Sequence, residues 1–87
     1  MNLGSKRSRL DIIADILTVA SNDWTGITTI LYGSNLNFGQ LKKYVAFLVR
    51  KELLETLKTD RGTYYKTTLG GIELLKEYEK LITRLKS

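Results

Sequence analysis

Gln40, Lys42, Lys43 and Arg50 stand in a stretch, residues 35–51, that also carries Lys51 and has no acid, for a local charge of +4. Ammonium and guanidinium groups at this density suit phosphate oxygens, and an amide among them suits the paired donor and acceptor on a base edge. Lys58, Arg61 and Lys66 add a second basic set shortly after. The acids offer less. Asp11 and Asp15 are a close acid pair on one predicted helix, and the chain has neither histidine nor cysteine to work with them. That removes thiolate nucleophiles, serine–histidine pairs and the usual zinc, iron–sulfur and haem ligand sets. With no glycine-rich phosphate loop either, we expect no enzyme activity, no cofactor and no metal site. Both acids are read as solvated carboxylates that complement a helix dipole.

The charge balance of the whole chain agrees with a polyanionic partner. Its 14 Lys+Arg outweigh 9 Asp+Glu by +5 over 87 residues, which puts nucleic acid first among candidate partners. The sign alternates along the sequence: residues 1–10 carry +3, residues 11–34 carry −3, and residues 52–87 net only +1. At roughly 150 residues per domain, the length is that of one domain, 1–87. A unit this small buries only about 60% of the surface its unfolded chain exposes, so a second copy would help it. No apolar stretch follows Lys6 and Arg7, and no run approaches the ~18 residues of a membrane span. Export and membrane insertion are therefore not expected, and a cytoplasmic, nucleoid-associated location is. These residues point to no small-molecule ligand.

Basic side chains need a scaffold, and hydrophobic periodicity supplies one. Leu10, Ile13, Ile16, Leu17 and Ala20 recur at three- and four-residue steps, which predicts a helix over residues 8–21 with Ser8 as its cap and Asp11 in the first turn. Trp24 follows in a loop as a core anchor. Ile27, Ile30 and Leu31 give a helix of two turns, ended by Gly33, Ser34 and Asn35. Asn37, with Gln40 three residues later, reads as a capping box that opens the next helix. Leu41, Tyr44, Val45 and Leu48 share one of its faces, and a wheel of about 100° per residue puts Lys43 and Arg50 opposite Leu41. A short helix, a tight turn and a helix with an outward basic face make a helix-turn-helix. In that arrangement the helix opening at Asn37 enters the major groove, where Gln40 can pair with adenine and Lys43 can reach guanine acceptors. Phe38 either touches a thymine methyl or belongs to the core. Lys42 and Arg50 supply phosphate contacts.

Residues 53–58 and 63–67 are rich in Thr, Tyr and Leu and flank Thr59, Asp60, Arg61 and Gly62, a turn sequence. We expect a β-hairpin whose Lys58, Arg61 and Lys66 rest on a phosphate backbone. Tyr65 is expected inward and Tyr64 outward. Thr68 caps a last helix over residues 69–86, with an apolar stripe of Ile72, Leu74, Leu75, Tyr78, Leu81, Ile82 and Leu85. Its length, roughly 27 Å at 1.5 Å per residue, exceeds the radius of gyration of about 12 Å expected for a chain of this size. The far end should project and pair with the same helix of a second copy through Leu75, Tyr78, Ile82 and Leu85. The expected fold class is mainly α with a small β-hairpin. It consists of a winged helix-turn-helix over residues 5–67 and a long C-terminal dimerisation helix over residues 68–86.

Taken in order, these stretches resemble the archaeal winged-helix family of small dimeric chromatin proteins and related transcription regulators. The resemblance runs from about residue 5 to residue 86. It rests on Ser8-Arg9-Leu10-Asp11-Ile12-Ile13-Ala14-Asp15-Ile16-Leu17, on Thr28-Thr29-Ile30-Leu31-Tyr32, on Asn35-Leu36-Asn37-Phe38-Gly39-Gln40-Leu41-Lys42-Lys43-Tyr44, and on Tyr65-Lys66-Thr67-Thr68 with Gly71. It implies double-stranded DNA binding through the second helix of the motif and the wing, and a homodimer with antiparallel C-terminal helices. Members often carry a basic residue at the positions of Thr29 and Gly33, and a lysine at that of Gly70, so a weaker phosphate grip on the short helix is expected here. The Lys6-Arg7-Ser8-Arg9 arm is a further candidate for a phosphate strand or a minor groove. The competing expectation is a winged helix used only for protein interaction. Phe47 is the one outward apolar hint of it, and the acid-free basic segment argues for DNA.

Overall fold

Ser8 and Asp11 start the first helix by bonding each other's backbone: the Asp11 N–H donates to Ser8 Oγ at 3.0 Å and the Ser8 N–H to Asp11 Oδ2 at 3.1 Å. In the computed structural model, which describes residues 7–86, this capping box opens α1 (Arg9–Val19). A two-residue strand, β1 (Thr25–Gly26), leads into α2 (Ile27–Ser34). Asn35 ends α2 in the left-handed region at φ 55°, which asparagine tolerates better than most residues. Asn37 and Gln40 form a second reciprocal box, from which α3 runs over Phe38–Arg50. It stops in a Schellman turn, with the Leu53 N–H donating to the Leu48 carbonyl at 2.9 Å and the Glu52 N–H to the Val49 carbonyl at 3.0 Å. The hairpin follows as β2 (Leu54–Thr59) and β3 (Gly62–Thr67), and α4 spans Leu69–Lys86. Thr68 caps α4 by accepting the Gly71 N–H at 3.1 Å.

The sheet is antiparallel and ordered β1-β3-β2. β1 was not foreseen, because two residues carry no readable alternation; Thr25 and Gly26 are extended only because they pair with Tyr65 and Tyr64. The hairpin is anchored at its base, where the buried Thr67 donates its hydroxyl to the Leu17 carbonyl at 2.7 Å and its N–H to the Ala20 carbonyl at 2.9 Å. α1 thereby fixes the wing against the helices.

Every helix contributes to one buried cluster. It holds Ile16, Leu17 and Ala20 from the α1 region, Ile30 from α2, Leu41, Val45 and Leu48 from α3, Leu54 from β2 and Leu75 from α4. Two α1 positions differ from the expected face, since Ala14 is buried and Leu10 is exposed. Trp24 is half-buried and lies outside the buried cluster, so it is not the core anchor expected of it. Gly33 has a packing reason: a Cβ there would fall 2.4 Å from Val19 Cγ2, and a β-branched side chain has little freedom to move aside. Gly71 has a stricter one, with a Cβ falling 2.5 Å from both the Leu53 carbonyl oxygen and Thr67 Cγ2.

α4 packs on α1 through Leu75 and Tyr78. Leu75 is buried in the chain's own core, and the Tyr78 hydroxyl donates to Asp11 Oδ1 on α1. Both were expected on the dimer face, Tyr78 beyond the domain; in the chain itself the lateral packing of α4 on α1 buries Leu75 and half-buries Tyr78. Past that point Ile82 is half-buried, while Leu81 and Leu85 are 50% and 74% exposed. The molecule is correspondingly long, 47 × 26 × 20 Å. Among the described residues, no helix is long and apolar enough to cross a membrane.

Candidate nucleic-acid interface

The register of the hairpin decides which basic residues can act together. Residues directly opposite each other share a face, so Lys58 with Thr63 and Thr56 with Tyr65 lie on one side, and Glu55 with Lys66 and Leu57 with Tyr64 on the other. The first side looks toward α3. Between them is a cleft of about 760 Å³, bounded by Phe38, Lys42, Ala46 and Arg50 of α3 and by Lys58 of the wing. Among the described residues, no carboxylate lines it. Lys66 is turned away from this cleft and sits across from an acid, so the structure does not bring it together with Lys42, Arg50 and Lys58. Arg61 is exposed in the two-residue turn at the wing tip, where its N–H donates to Thr59 Oγ1 at 3.1 Å.

On α3 itself Lys42 and Lys43 lie on different flanks, with Arg50 between them, lining the cleft and reaching Phe47. The Lys42 ammonium lies 5.6 Å from the centre of the Phe38 ring, and Phe38, expected in the core or at a thymine methyl, is exposed beside the cleft. On the opposite flank Lys43 shares a small hollow with Tyr44, Phe47 and Arg9 of α1. Arg50 and Lys51 both approach the Phe47 ring, at 5.9 and 5.8 Å, distances at which a ring face attracts a cation. Phe47 therefore holds basic side chains in place and is only half-exposed.

Asn37 and Gln40 are already occupied. Asn37 Oδ1 accepts the Gln40 N–H at 2.8 Å, and Gln40 Oε1 receives the Asn37 N–H at 3.4 Å. One lone pair of the Gln40 amide oxygen is thus committed to the cap, and the pairing with adenine expected of Gln40 must share the side chain with the longer of these bonds. The basic arm is likewise committed in part. Arg7 pairs with Asp15 at 2.6 Å and donates to the Asn35 carbonyl at 3.2 Å, Ser8 is the α1 cap, and Lys6 lies outside the described residues. Asp15 and Asp11 are thus partnered by protein groups and still partly solvated, with the Asp15 side chain 46% exposed. The hydrogen bond from Tyr78 holds the Asp11 carboxyl below its ordinary value of 3.8, and the same bond pushes the Tyr78 phenol up to about 12.

Sequence reasoning missed the apolar half of the cleft. Ile27, Val49, Thr56 and Thr63 line it beside Val45 and Tyr65, and no single periodic pattern contains them, because they come from α2, α3 and both hairpin strands. The outward Ala46, three residues before Val49 on the same helix, was the one available signal.

Comparison with known proteins gives a consistent result. A family model for the winged helix-turn-helix matches residues 6–86. The structure is similar to that of Sso10a-2, a DNA-binding protein from Sulfolobus solfataricus, with a TM-score of 0.84 and 28% identity over 92% of this chain and 83% of that one. An uncharacterized protein of Methanocaldococcus jannaschii is 35% identical over 80 residues, which are 92% of this chain and 36% of that relative. The chain thus spans about a third of the length of the curated relative that it matches.

Proposed function

The chain belongs to the winged helix-turn-helix family, and from that premise we propose that it binds double-stranded DNA, with α3 in the major groove and the β2–β3 wing along the backbone. The observation that carries this reading is the acid-free cleft, where Lys42, Arg50 and Lys58 converge from two elements distant in sequence. The similarity to a DNA-binding protein supports it. Lys42, Arg50, Lys58 and Arg61 grip phosphates and set the register, Lys43 reaches guanine acceptors, and Phe38 touches a thymine methyl. Asn37 and Gln40 act by fixing where the helix begins. A second copy pairs through the far end of α4, where Leu81 and Leu85 are exposed beside the half-buried Ile82. The role is non-enzymatic, that of a regulator or an architectural protein on the nucleoid in the cytoplasm.

Fluorescence anisotropy of a labelled duplex over a series of salt concentrations tests this. With about three to five phosphates neutralised per protomer, a dimer gives a log-affinity against log-salt slope of roughly −5 to −9. A slope near zero, or affinity unchanged after Lys42, Lys43 and Arg50 are all replaced by alanine, overturns DNA binding in favour of a protein-interaction module, which the exposed Phe38 ring would serve. Sequencing the bound fraction of random and genomic libraries separates the two roles: enrichment means a regulator, and a flat profile an architectural protein.

A further inference from the structure

A phosphate backbone matches only part of the cleft between α3 and the wing. Val45 is buried and Ile27 and Tyr65 are half-buried, so they make an apolar floor, while Phe38 and Ala46 stand exposed at its side. Lys42, Arg50 and Lys58 add three exposed cations, and Thr56 and Thr63 two hydroxyls. The volume of about 760 Å³ lies within the roughly 300–1,000 Å³ of small-molecule sites, which share this combination of apolar walls and a few polar groups. A neutral apolar ligand would leave the cations unused, and an inorganic anion would leave the floor wet. A flat ring carrying a carboxylate satisfies both, placing the ring on Val45 and Tyr65 and the anion among the cations.

We propose that this cleft binds a small aromatic carboxylate and that its occupancy excludes DNA. The second half rests on the DNA-binding reading, since Lys42, Arg50 and Lys58 serve both ligands. The protein so described is released from DNA by an aromatic acid.

The test uses the full chain and 2-naphthoate, with naphthalene-2-methanol as the uncharged ring and acetate as the charge without a ring. Amide shifts in two-dimensional NMR are followed without DNA, and duplex binding is measured separately by anisotropy at constant ionic strength. The expected result is saturable shifts confined to Val45, Ala46, Val49, Thr56 and Tyr65. The alcohol should bind about tenfold more weakly, the ratio of one charge-assisted hydrogen bond, and acetate should give no saturation. At the naphthoate concentration that half-saturates the shifts, the dissociation constant for DNA should rise about twofold for each cleft in competition. Ala46→Glu, which puts a carboxylate among the cations at an exposed helix position, should abolish the shifts, and Lys58→Ala, on the solvated wing, should weaken them severalfold. Absence of saturable shifts, shifts confined to α4, or full DNA affinity in the naphthoate-saturated protein overturns the proposal. If naphthoate seats in the cleft while no duplex binds under any salt condition, the DNA reading and the competition fail together, and the carboxylate site alone stands.

Discussion

Lys58→Ala and Lys66→Ala, two lysine losses on one hairpin, should differ in their effect on DNA binding. Each phosphate contact contributes about 0.9 to the magnitude of the salt slope. Lys58 shares its face with Thr63, Thr56 and Tyr65 and borders the α3 cleft, so its loss should flatten the slope by about one per protomer, or about two in a dimer. Lys66 lies on the other face, directly across from Glu55. Its loss should leave the slope unchanged and cost only the cross-strand pair, about 0.2–1 kcal/mol of stability. Anisotropy of one labelled duplex, titrated between about 50 and 200 mM salt, separates the two variants, and urea unfolding followed by circular dichroism reads the stability change. Equal flattening by both variants would falsify the assignment of the cleft side alone as the DNA side, because the register puts the two lysines on opposite faces of the hairpin.

Four further outcomes follow from packing and charge. Leu85→Asp, at a position 74% exposed in the single chain, should convert a dimer into a folded monomer by light scattering; a wild-type mass of one chain at micromolar concentration removes the dimer. Gly70→Ala should stabilise by up to about 1 kcal/mol, since a Cβ there meets nothing closer than 3.7 Å. Gly71→Ala should destabilise by about 1–3 kcal/mol through the 2.5 Å approach to the Leu53 carbonyl, and the opposite order in urea midpoints would refute the close packing of α4. Tyr78→Phe removes the hydroxyl donated to Asp11. The phenol's folded value is raised from 10.0 to about 12 and the carboxyl's is lowered from 3.8. The wild type's advantage is therefore full between pH 3.8 and 10.0. It is lost as pH falls through the Asp11 value or rises through that of Tyr78, and an advantage independent of pH in acid denaturation would deny the bond.

Local signals in this chain were legible because their physics is local. Ser8 with Asp11 and Asn37 with Gln40 are three residues apart, so the caps follow from backbone geometry alone and appear where their spacing puts them. The same holds for Asn35 as the end of α2, for the Asp60-Arg61 turn, and for α4 over its full length. Charge was legible too: the acid-free segment remains acid-free however the chain folds. Phe38 and Trp24 were less so, since a large ring reads as core in any pattern and only the neighbours that are present decide otherwise.

From sequence alone, then, came the order of helices and hairpin, the winged architecture, the absence of histidine and cysteine chemistry, and the excess of cations on and after the second helix of the motif. Tertiary structure decided which of those cations meet. Side chains on a strand alternate faces, so a register of single residues separates Lys58 from Lys66. It also decided that Leu75 and Tyr78 pack against α1 within the chain, because whether an apolar stripe is covered depends on the lateral placement of a helix distant in sequence. The cleft arose the same way. Its floor draws on α2, α3 and both hairpin strands, and surfaces assembled from such separate elements exist only once the core has set their distances.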